Sequence, residues 1–374
     1  MTKSGTFPRI AMALVVTALV GACSSGASAS PSAAAPSAAA SAAASAAPSA
    51  APSAAPSAAA SAAASAAAGT KTYKDMTVGF IQTGSESGWR AANTASFKET
   101  ATQLGINLKF YDAQNKLENQ VSAFHQFNQD PSVNVIILAA LDVTGYDDVL
   151  KEAKTAGKVV VLEDRRIDAD PSLYYTYIGS DFINEGHEGA AAMCDLLKPF
   201  AADKHNVAEI SGAVGASAAI DRAKGFREKM GACGIPDPTS LGLSQTGNWG
   251  VPESKAVMEA FLKKTKNIQG VFAHNDEEAI GAIQAIKEAG LVPGKDIMVV
   301  GFDATADGFK SLISGEMGAD IECNPLLAPQ VYDAALKALN GDTSLPKWVP
   351  SQEGAFFAAQ GKDALQAILA TRKY

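Results

Sequence analysis

Polar residues follow both strands of a strand–helix–strand unit predicted within residues 271–308. Asn275 and Asp276 follow the short apolar run VFA after one histidine, and Asp303 comes directly after the apolar run IMVVGF. Apolar residues recur between them at helical spacing, which predicts the intervening helix. Parallel strands joined by a helix end at the same sheet edge, where open α/β sheets bind ligands. We therefore predict a binding site at this edge, although Asn275 or Asp276 could instead only cap the helix.

Other predicted strands end in the same kinds of residue. In the first half these include Asp164, Arg165 and Arg166, and in the second half they include Asn248 and Trp249. Two such edges facing each other would form a cleft that suits a neutral polyol. Carboxylates accept hydrogen bonds, guanidinium groups donate them, and indole rings cover the apolar face of a sugar ring. Alternatively, the tryptophans pack in the core and Arg165 forms a surface ion pair; Arg166 is expected to face solvent.

Strands and helices alternate from about Thr72, which predicts mostly parallel sheets with helices on both faces. The alternation runs through four strands to the extended segment YYTYIGSD, which is predicted to leave the first sheet, and then restarts. A second sheet of the same kind is the economical interpretation, with the C-terminal elements completing both sheets. The predicted fold class is therefore α/β, with two similar doubly wound parallel-sheet lobes and the ligand between them.

The first 22 residues have the composition of a targeting segment. Lys3 and Arg9 precede the apolar run IAMALVVTALVGA, which is too short to span a bilayer comfortably. The run ends in VGAC, which resembles the lipobox of a bacterial lipoprotein and implies cleavage before Cys23 and a lipid on that cysteine. The alternative is an ordinary secretory signal with an incidental cysteine. Residues 23–71, rich in alanine, serine and proline, are predicted to be a disordered tether to a membrane that the chain does not cross.

Composition and charge exclude several classes of function. The net charge of −8 and the pI near 5.1 leave no basic surface for nucleic acid. The four histidines show no metal-ligand spacing, and the glycine-rich GAVGAS lacks the spacing of nucleotide-binding loops. No nucleophile–base pair stands out. We therefore expect a protein that is not an enzyme and has neither a metal nor a cofactor.

Six segments that cover most of the folded region carry a family resemblance: VGFIQTGSESGWRAAN, DAQNKLENQ, VLKEAK, LEDRRID, VGASAAIDRAKGF and AHNDEEAIGAIQAIKEAGLVPGKDI. From about residue 76 the chain resembles the periplasmic sugar-binding proteins of the ribose-binding type, which serve ABC importers. It is more similar still to the galactofuranose binders of that group. The resemblance implies a monomer that captures a monosaccharide and delivers it to a membrane permease. The alternative is a sugar-sensing lipoprotein that signals to a membrane receptor or kinase.

The resemblance also implies a division of the chain. Crossovers near 178–180, 323–324 and 350–352 would form a three-segment hinge. The first lobe would then comprise 72–178 with 324–351, and the second 179–323 with 352–374.

Site residues follow from the family by position. The matching positions are Glu86, Trp89, Arg90, Asp164, Arg165, Arg222, Asn248 or Trp249, Asn275 and Asp303. Arg90 stands where ribose binders carry a stacking phenylalanine, which points away from ribose. Galactofuranose is the first candidate, followed by arabinose, galactose and other pentoses or hexoses. Cys323 falls near a position where ribose binders use a glutamine, which leaves that contact in doubt.

Three cysteines remain after Cys23, in a compartment that permits disulfides. Cys194 and Cys233 are predicted late in the first two helices of the second lobe, which could be neighbours. A disulfide between them is one interpretation, and two buried free thiols are the other. Cys323 would stay unpaired in both.

Overall fold

The computed structural model of the protein describes residues 70–85 and 87–374, which belong to one compact unit. The predicted signal segment, the lipid-bearing Cys23, nearly all of the tether and Glu86 lie outside the described residues. Among the residues that are described, no helix is both long enough and apolar enough to cross a membrane.

Two six-stranded sheets form the centres of two α/β lobes, which confirms the predicted fold class. The first sheet contains β1 (Thr77–Gln82), β2 (Asn107–Asp112), β3 (Val135–Ala139), β4 (Val159–Glu163), β5 (Thr176–Gly179) and β11 (Trp348–Pro350). The second contains β6 (Val207–Ser211), β7 (Ser244–Thr246), β8 (Gly270–Ala273), β9 (Met298–Asp303), β10 (Ala319–Glu322) and β12 (Ala355–Phe357). The spatial orders are β11-β5-β4-β3-β1-β2 and β12-β10-β9-β8-β6-β7. Strand β12 runs antiparallel to β10, whereas the other pairings are parallel.

Helices cover both faces of each sheet. The helices of the first lobe are α1 (Gly88–Leu104), α2 (Leu117–Gln129), α3 (Asp147–Thr155) and α10 (Ala328–Leu339). Those of the second are α4 (Phe182–Leu197), α5 (Ser217–Met230), α6 (Pro238–Leu241), α7 (Val251–Lys264), α8 (Asp276–Glu288), α9 (Ala306–Ser314) and α11 (Lys362–Leu369).

The alternation of side chains along each strand divides the core of each lobe into two layers. In the first lobe Phe80 packs with Phe97 of α1 on one face, whereas Ile81 packs with Phe124 of α2 on the other. The second lobe likewise has one apolar cluster on each side of its sheet. Because both faces of each sheet are buried, the strand ends are the natural place for a ligand.

One prediction for the first sheet is wrong. The segment predicted to leave this sheet instead forms β5, which pairs with β4 on one side and with β11 on the other. The partner β11 comes some 170 residues later in the chain, so no local sequence pattern could predict this pairing. The chain leaves the first sheet only after Gly179. It passes between the two sheets three times, after β5, after β10 and after β11.

A disulfide joins Cys194 of α4 to Cys233 in the short turn after α5, with their Cα atoms 5.6 Å apart. The two helices can approach closely because glycines meet at their interface: a Cβ on Gly186 would lie 2.9 Å from the Cα of Gly225. Cys323 is a buried free thiol. Of the two interpretations of the sequence, the structure therefore shows the disulfide.

Candidate functional site

Strands β8 and β9 are neighbours in the second sheet, and each ends in a residue predicted for the site. Asn275 follows β8 and caps α8, where its side-chain oxygen accepts a hydrogen bond from the N–H of Glu278 at 2.8 Å. Asp303 ends β9 with a φ of 101°, a left-handed conformation that few residues other than glycine adopt. Both residues line a cavity between the lobes. Asn275 thus caps the helix and also lines the cavity.

Arg222 of α5 is a buried cation in the second lobe. Its Nε lies 2.6 Å from Oε2 of Glu185, and its Nη1 donates to the carbonyl of His274 at 2.6 Å. Its Nη2 lies 3.3 Å from Oδ1 of Asp303. Burial raises the pKa of the Asp303 carboxyl, and the Arg222 guanidinium opposes that rise. Arg222 therefore both orients Asp303 and favours its charged form.

The first lobe brings a carboxylate and two guanidinium groups to the opposite wall. Nη2 of Arg90 lies 2.6 Å from Oδ2 of Asp164, and Nε of Arg165 lies 3.5 Å from the same oxygen. Both arginines are at most 4% exposed, so an ion pair of Arg165 on the surface is ruled out. Behind them, burial and the charge of Asp164 raise the pKa of Glu163 to about 8. This wall offers hydrogen-bond donors and an acceptor in a water-poor setting.

The two predicted tryptophans come from opposite lobes. Nε1 of Trp89 donates to the carbonyl of Cys323 at 2.7 Å. Trp249 has a φ of 66° and packs against Gly212, where a Cβ would lie 2.0 Å from the ring. Its Nε1 finds no hydrogen-bond acceptor among the described residues. Because buried indole N–H groups usually have a partner, this one is suited to a ligand oxygen.

Together these side chains line a cavity between the two lobes; the space among them, including its opening to solvent, is about 310 Å³. The residues that line it are Ser87, Trp89, Arg90, Asp164, Arg165, Phe182, Ala218, Arg222, Trp249, Asn275, Asp303 and Cys323. The predicted site residues within the described ranges thus come together, with one exception. Asn248 is exposed and lines an adjoining groove instead, because its neighbour Trp249 turns into the cavity.

Sequence reasoning missed Ser87, Phe182 and Ala218 as cavity residues. Ser87 is the N-cap of α1 and accepts a hydrogen bond from the N–H of Arg90 at 3.1 Å. Phe182 begins α4 directly after the first passage between the sheets. Each of these residues lies beside a feature that the sequence predicted. That position is the signal from which sequence reasoning could have identified it.

Hydrogen bonds also join the lobes around the cleft. The Nε and Nη2 atoms of Arg166 each lie 2.8 Å from an oxygen of Asp221. Gly88 donates from its N–H to Oε1 of Glu277 at 2.7 Å. Val143 donates in the same way to the carbonyl of Gly215 at 3.0 Å. Arg166 therefore does more than face solvent, and the structure shows the two lobes closed over the cavity.

The three passages between the sheets meet at the carboxylate of Glu353. Its Oε1 accepts hydrogen bonds from Asn324 N at 3.0 Å, from Ser351 Oγ at 2.7 Å and from Ser180 Oγ. Ser180, Asn324 and Ser351 each belong to a different passage. One side-chain oxygen thus ties the whole hinge together.

Three possible metal ligands also meet near the hinge. Within the described residues, Glu185, Cys323 and Glu353 place one ligand atom each within 4.8 Å of one another. However, Glu185 is paired with Arg222, and Glu353 already accepts three hydrogen bonds. The ion pair of Glu185 and the hydrogen bonds to Glu353 therefore account for the positions of these two side chains.

Comparisons with known proteins agree with this geometry. The model of the family described as periplasmic binding protein domain matches residues 78–343. The galactofuranose-binding protein YtfQ of Escherichia coli strain K12 is 42% identical over 298 residues, which are 78% of this chain and 91% of that protein. The fructose import binding protein FruE of Bifidobacterium longum is 31% identical over 77% of this chain and 86% of its own length.

Solved structures give the same result. A Mycobacterium smegmatis protein in complex with β-D-fucofuranose is 43% identical with a TM-score of 0.73, and the match covers 79% of this chain and 96% of that one. The binding component of an arabinose ABC transporter from Shewanella sp. ANA-3, bound to L-arabinofuranose, is 40% identical with a TM-score of 0.72, over 80% and 99%. These relatives are solute-binding proteins, not enzymes. The chain therefore belongs to the periplasmic binding protein family.

Proposed function

We propose that this protein is the solute-binding component of an ABC importer, which captures a monosaccharide outside the cytoplasm and delivers it to a membrane permease. Membership of the family and the names of the relatives support import and an extracytoplasmic location. The observation that carries the proposal is the cavity between the lobes, with its walls of arginine, aspartate and tryptophan.

The chemistry of the walls suits a neutral ring that carries hydroxyl groups. Asp164 and Asp303 can accept hydrogen bonds from hydroxyls, while Arg90 and Asn275 can donate to them. Trp249 can cover a C–H face of the ring and donate from its N–H.

Galactofuranose is the first candidate for the sugar. Relatives at 40% identity or more include two named for galactofuranose, one solved with fucofuranose and one solved with arabinofuranose. Five-membered rings are the shared feature of these ligands. Other pentoses and hexoses come second.

Closure of the two lobes is the proposed mechanism. Neither wall alone surrounds a sugar, so a sugar on one wall recruits the other and shifts the balance toward the closed form. The rim contacts of Arg166, Gly88 and Val143 form only when the lobes meet. The permease would then recognise the closed form.

The remaining parts of the proposal concern the chain outside the cavity. Residues 1–22 direct export, Cys23 carries a lipid, and residues 23–71 tether the protein to the membrane. The first lobe comprises 72–178 with 324–351, the second comprises 179–323 with 352–374, and the protein acts as a monomer.

A panel of monosaccharides tests the proposal. Thermal shift and then calorimetry would use D-galactose, L-arabinose, D-ribose and D-fructose, with methyl galactofuranosides as ring-locked ligands. We expect the furanose ligands to stabilise the protein most and Arg165→Ala to abolish binding without unfolding it. Lys310→Ala, which changes an exposed cation, serves as the control. Normal affinity in Arg165→Ala, or no stabilisation by any sugar, would refute the proposed site.

A further inference from the structure

Asp276 and Asp320 form a buried pair of acids behind the ligand cavity, and neither lines it. Asp276 comes from the first turn of α8, next to Asn275, and Asp320 lies in β10. Both are fully buried. Two charged carboxylates in such a place would repel each other strongly, so their arrangement requires an explanation.

The two carboxyl groups surround one glycine. A Cβ on Gly308 would lie 2.3 Å from Oδ2 of Asp276 and 2.4 Å from Oδ2 of Asp320. These two oxygens therefore lie within about 4.7 Å of each other, a separation at which two charged, buried carboxylates would repel strongly. Oδ1 of Asp276 and Oδ2 of Asp320 receive no hydrogen bond from an N–H or O–H group of any other described residue. A proton held by the pair would satisfy both oxygens.

The remaining oxygens of the pair hold the backbone that follows Asp303. Oδ1 of Asp320 accepts from the N–H of Ala304 at 3.0 Å. Oδ2 of Asp276 accepts from the N–H of Thr305 at 2.7 Å and from its hydroxyl at 2.6 Å. Asp303 and Ala304 have φ values of 101° and 53°, which non-glycine residues adopt only where the surroundings impose them. The pair supplies that constraint.

We propose that Asp276 and Asp320 share one proton and act as positioning residues, which hold the 303–305 turn so that Asp303 faces the ligand. The inference rests on the proposed function, because it assigns these residues a role in the same sugar site. Ligand affinity would then depend on a proton carried by residues that do not touch the ligand.

The surrounding charges support a single shared proton. Burial first, and then the neighbouring acid, raises the pKa of Asp276, and burial raises the pKa of Asp320 to about 7. Glu277 of α8 and Asp303 of β9 add negative charge on this side, and Arg372 near the C-terminus is the cation that opposes them.

A carboxyl whose pKa is raised by folding stabilises the fold fully only below the ordinary aspartate value of about 4. That contribution is lost as the pH rises through the raised value.

Asp320→Asn and Asp320→Ala test the inference. An asparagine amide can accept from Ala304 and donate to Asp276, so it replaces the shared proton permanently, whereas alanine does neither. Sugar affinity, measured with L-arabinose and with a methyl galactofuranoside, and the unfolding of the sugar-free protein would each be followed from about pH 5 to about pH 9. Asp307→Asn, an exposed acid in the same region, is the matched control.

We expect the affinity of the natural protein to weaken by about tenfold toward the alkaline end, and that of Asp320→Asn to change by less than about twofold. Asp320→Ala should bind weakly at every pH. The inference would be overturned if the sugar affinity of Asp320→Asn varied with pH as much as that of the natural protein, or if Asp320→Ala bound sugar as tightly as the natural protein. If Asp320→Ala does not fold, the pH slope of Asp320→Asn still decides. If no sugar binds but Asp320→Asn flattens the pH dependence of unfolding, the shared proton stands and the sugar assignment fails.

Discussion

The guanidinium group of Arg166 and the carboxylate of Asp221 form a two-pronged ion pair across the mouth of the cleft, with both nitrogen–oxygen distances 2.8 Å. Arg166 follows β4 of the first lobe, and Asp221 lies in α5 of the second. The pair can therefore form only when the lobes close, and it contributes to closure without touching the cavity.

Asp221→Asn should weaken sugar binding because it removes a contact that exists only in the closed form. Arg166 is partly exposed, so screening by solvent limits the loss to about 1 kcal/mol, or about fivefold in Kd. Calorimetry at low and high salt would measure it, and the difference from the natural protein should shrink at high salt. An unchanged Kd at low salt would contradict this role. Asp307→Asn is again the control.

Asp303→Asn should cost far more than Asp221→Asn. The substitution keeps the shape of the side chain but replaces one acceptor oxygen with an NH2 donor, inside a buried site next to Arg222. We expect a loss of at least about 2 kcal/mol in binding free energy, or about 30-fold in Kd, with the fold retained. Calorimetry measures the affinity and circular dichroism checks the fold. Natural affinity in the variant would show that Asp303 is not a ligand contact.

Glu353→Ala should loosen the hinge. The change leaves Ser180, Asn324 and Ser351 without their shared acceptor, which should lower the free energy of unfolding by about 1–3 kcal/mol. Glu353→Gln keeps one acceptor oxygen and should lose less. Denaturant unfolding of both variants measures the difference. Equal stability of the alanine and glutamine variants would mean that the hydrogen bonds at the hinge add nothing.

Removal of the Cys194–Cys233 disulfide should destabilise the second lobe and leave sugar affinity unchanged. The bridge closes a loop with a sequence separation of 39 residues, and the chain-entropy model gives about 4 kcal/mol for a loop of this size. Neither cysteine lines the cavity. The double serine variant, compared with the natural protein in denaturant unfolding and calorimetry, tests both statements. A large loss of affinity would show that the bridge shapes the site.

Cys23→Ser should release the protein from the membrane. If the cysteine carries the lipid, its loss removes the anchor and leaves only weak attachment. Fractionation of cells that express each form would show the natural protein with the membranes and the variant in the soluble fraction. Recovery of both forms in the same fraction would favour an ordinary secretory signal.

The sequence predicted the two sheets and several cavity residues from local patterns, whereas Arg90 and Arg222 followed only from the family resemblance. Apolar runs in the sequence predict buried strands. Because parallel strands end at one edge of the sheet, the polar residues Asn275 and Asp303 at those ends were predicted to lie together. The pairing of β5 with β11 was missed because it joins segments far apart in the chain. The choice between Asn248 and Trp249 depended on which of two neighbours, both with positive φ, turns inward. No periodic pattern encodes that choice.

The pairing of Arg166 with Asp221, the meeting of three segments at Glu353 and the acid pair of Asp276 and Asp320 were also beyond sequence reasoning. Each joins residues from separate elements through side-chain geometry. A run such as EDRR shows that charges are present, but it does not show which partner lies across a cleft.

The indole of Trp89 donates its hydrogen bond to the carbonyl of Cys323, a residue in the second passage between the lobes and also part of the cavity wall. Under the proposed function, the wall that contacts the sugar therefore adjoins one of the passages about which the lobes would move. A sugar with one additional substituent would hold the lobes apart close to these passages. A small displacement there opens a wide gap at the distant rim of the cleft. An oversized sugar would then keep Arg166 and Asp221 apart although it does not contact them. The protein would discriminate against such sugars because the closed form could not form its ion pair at the rim.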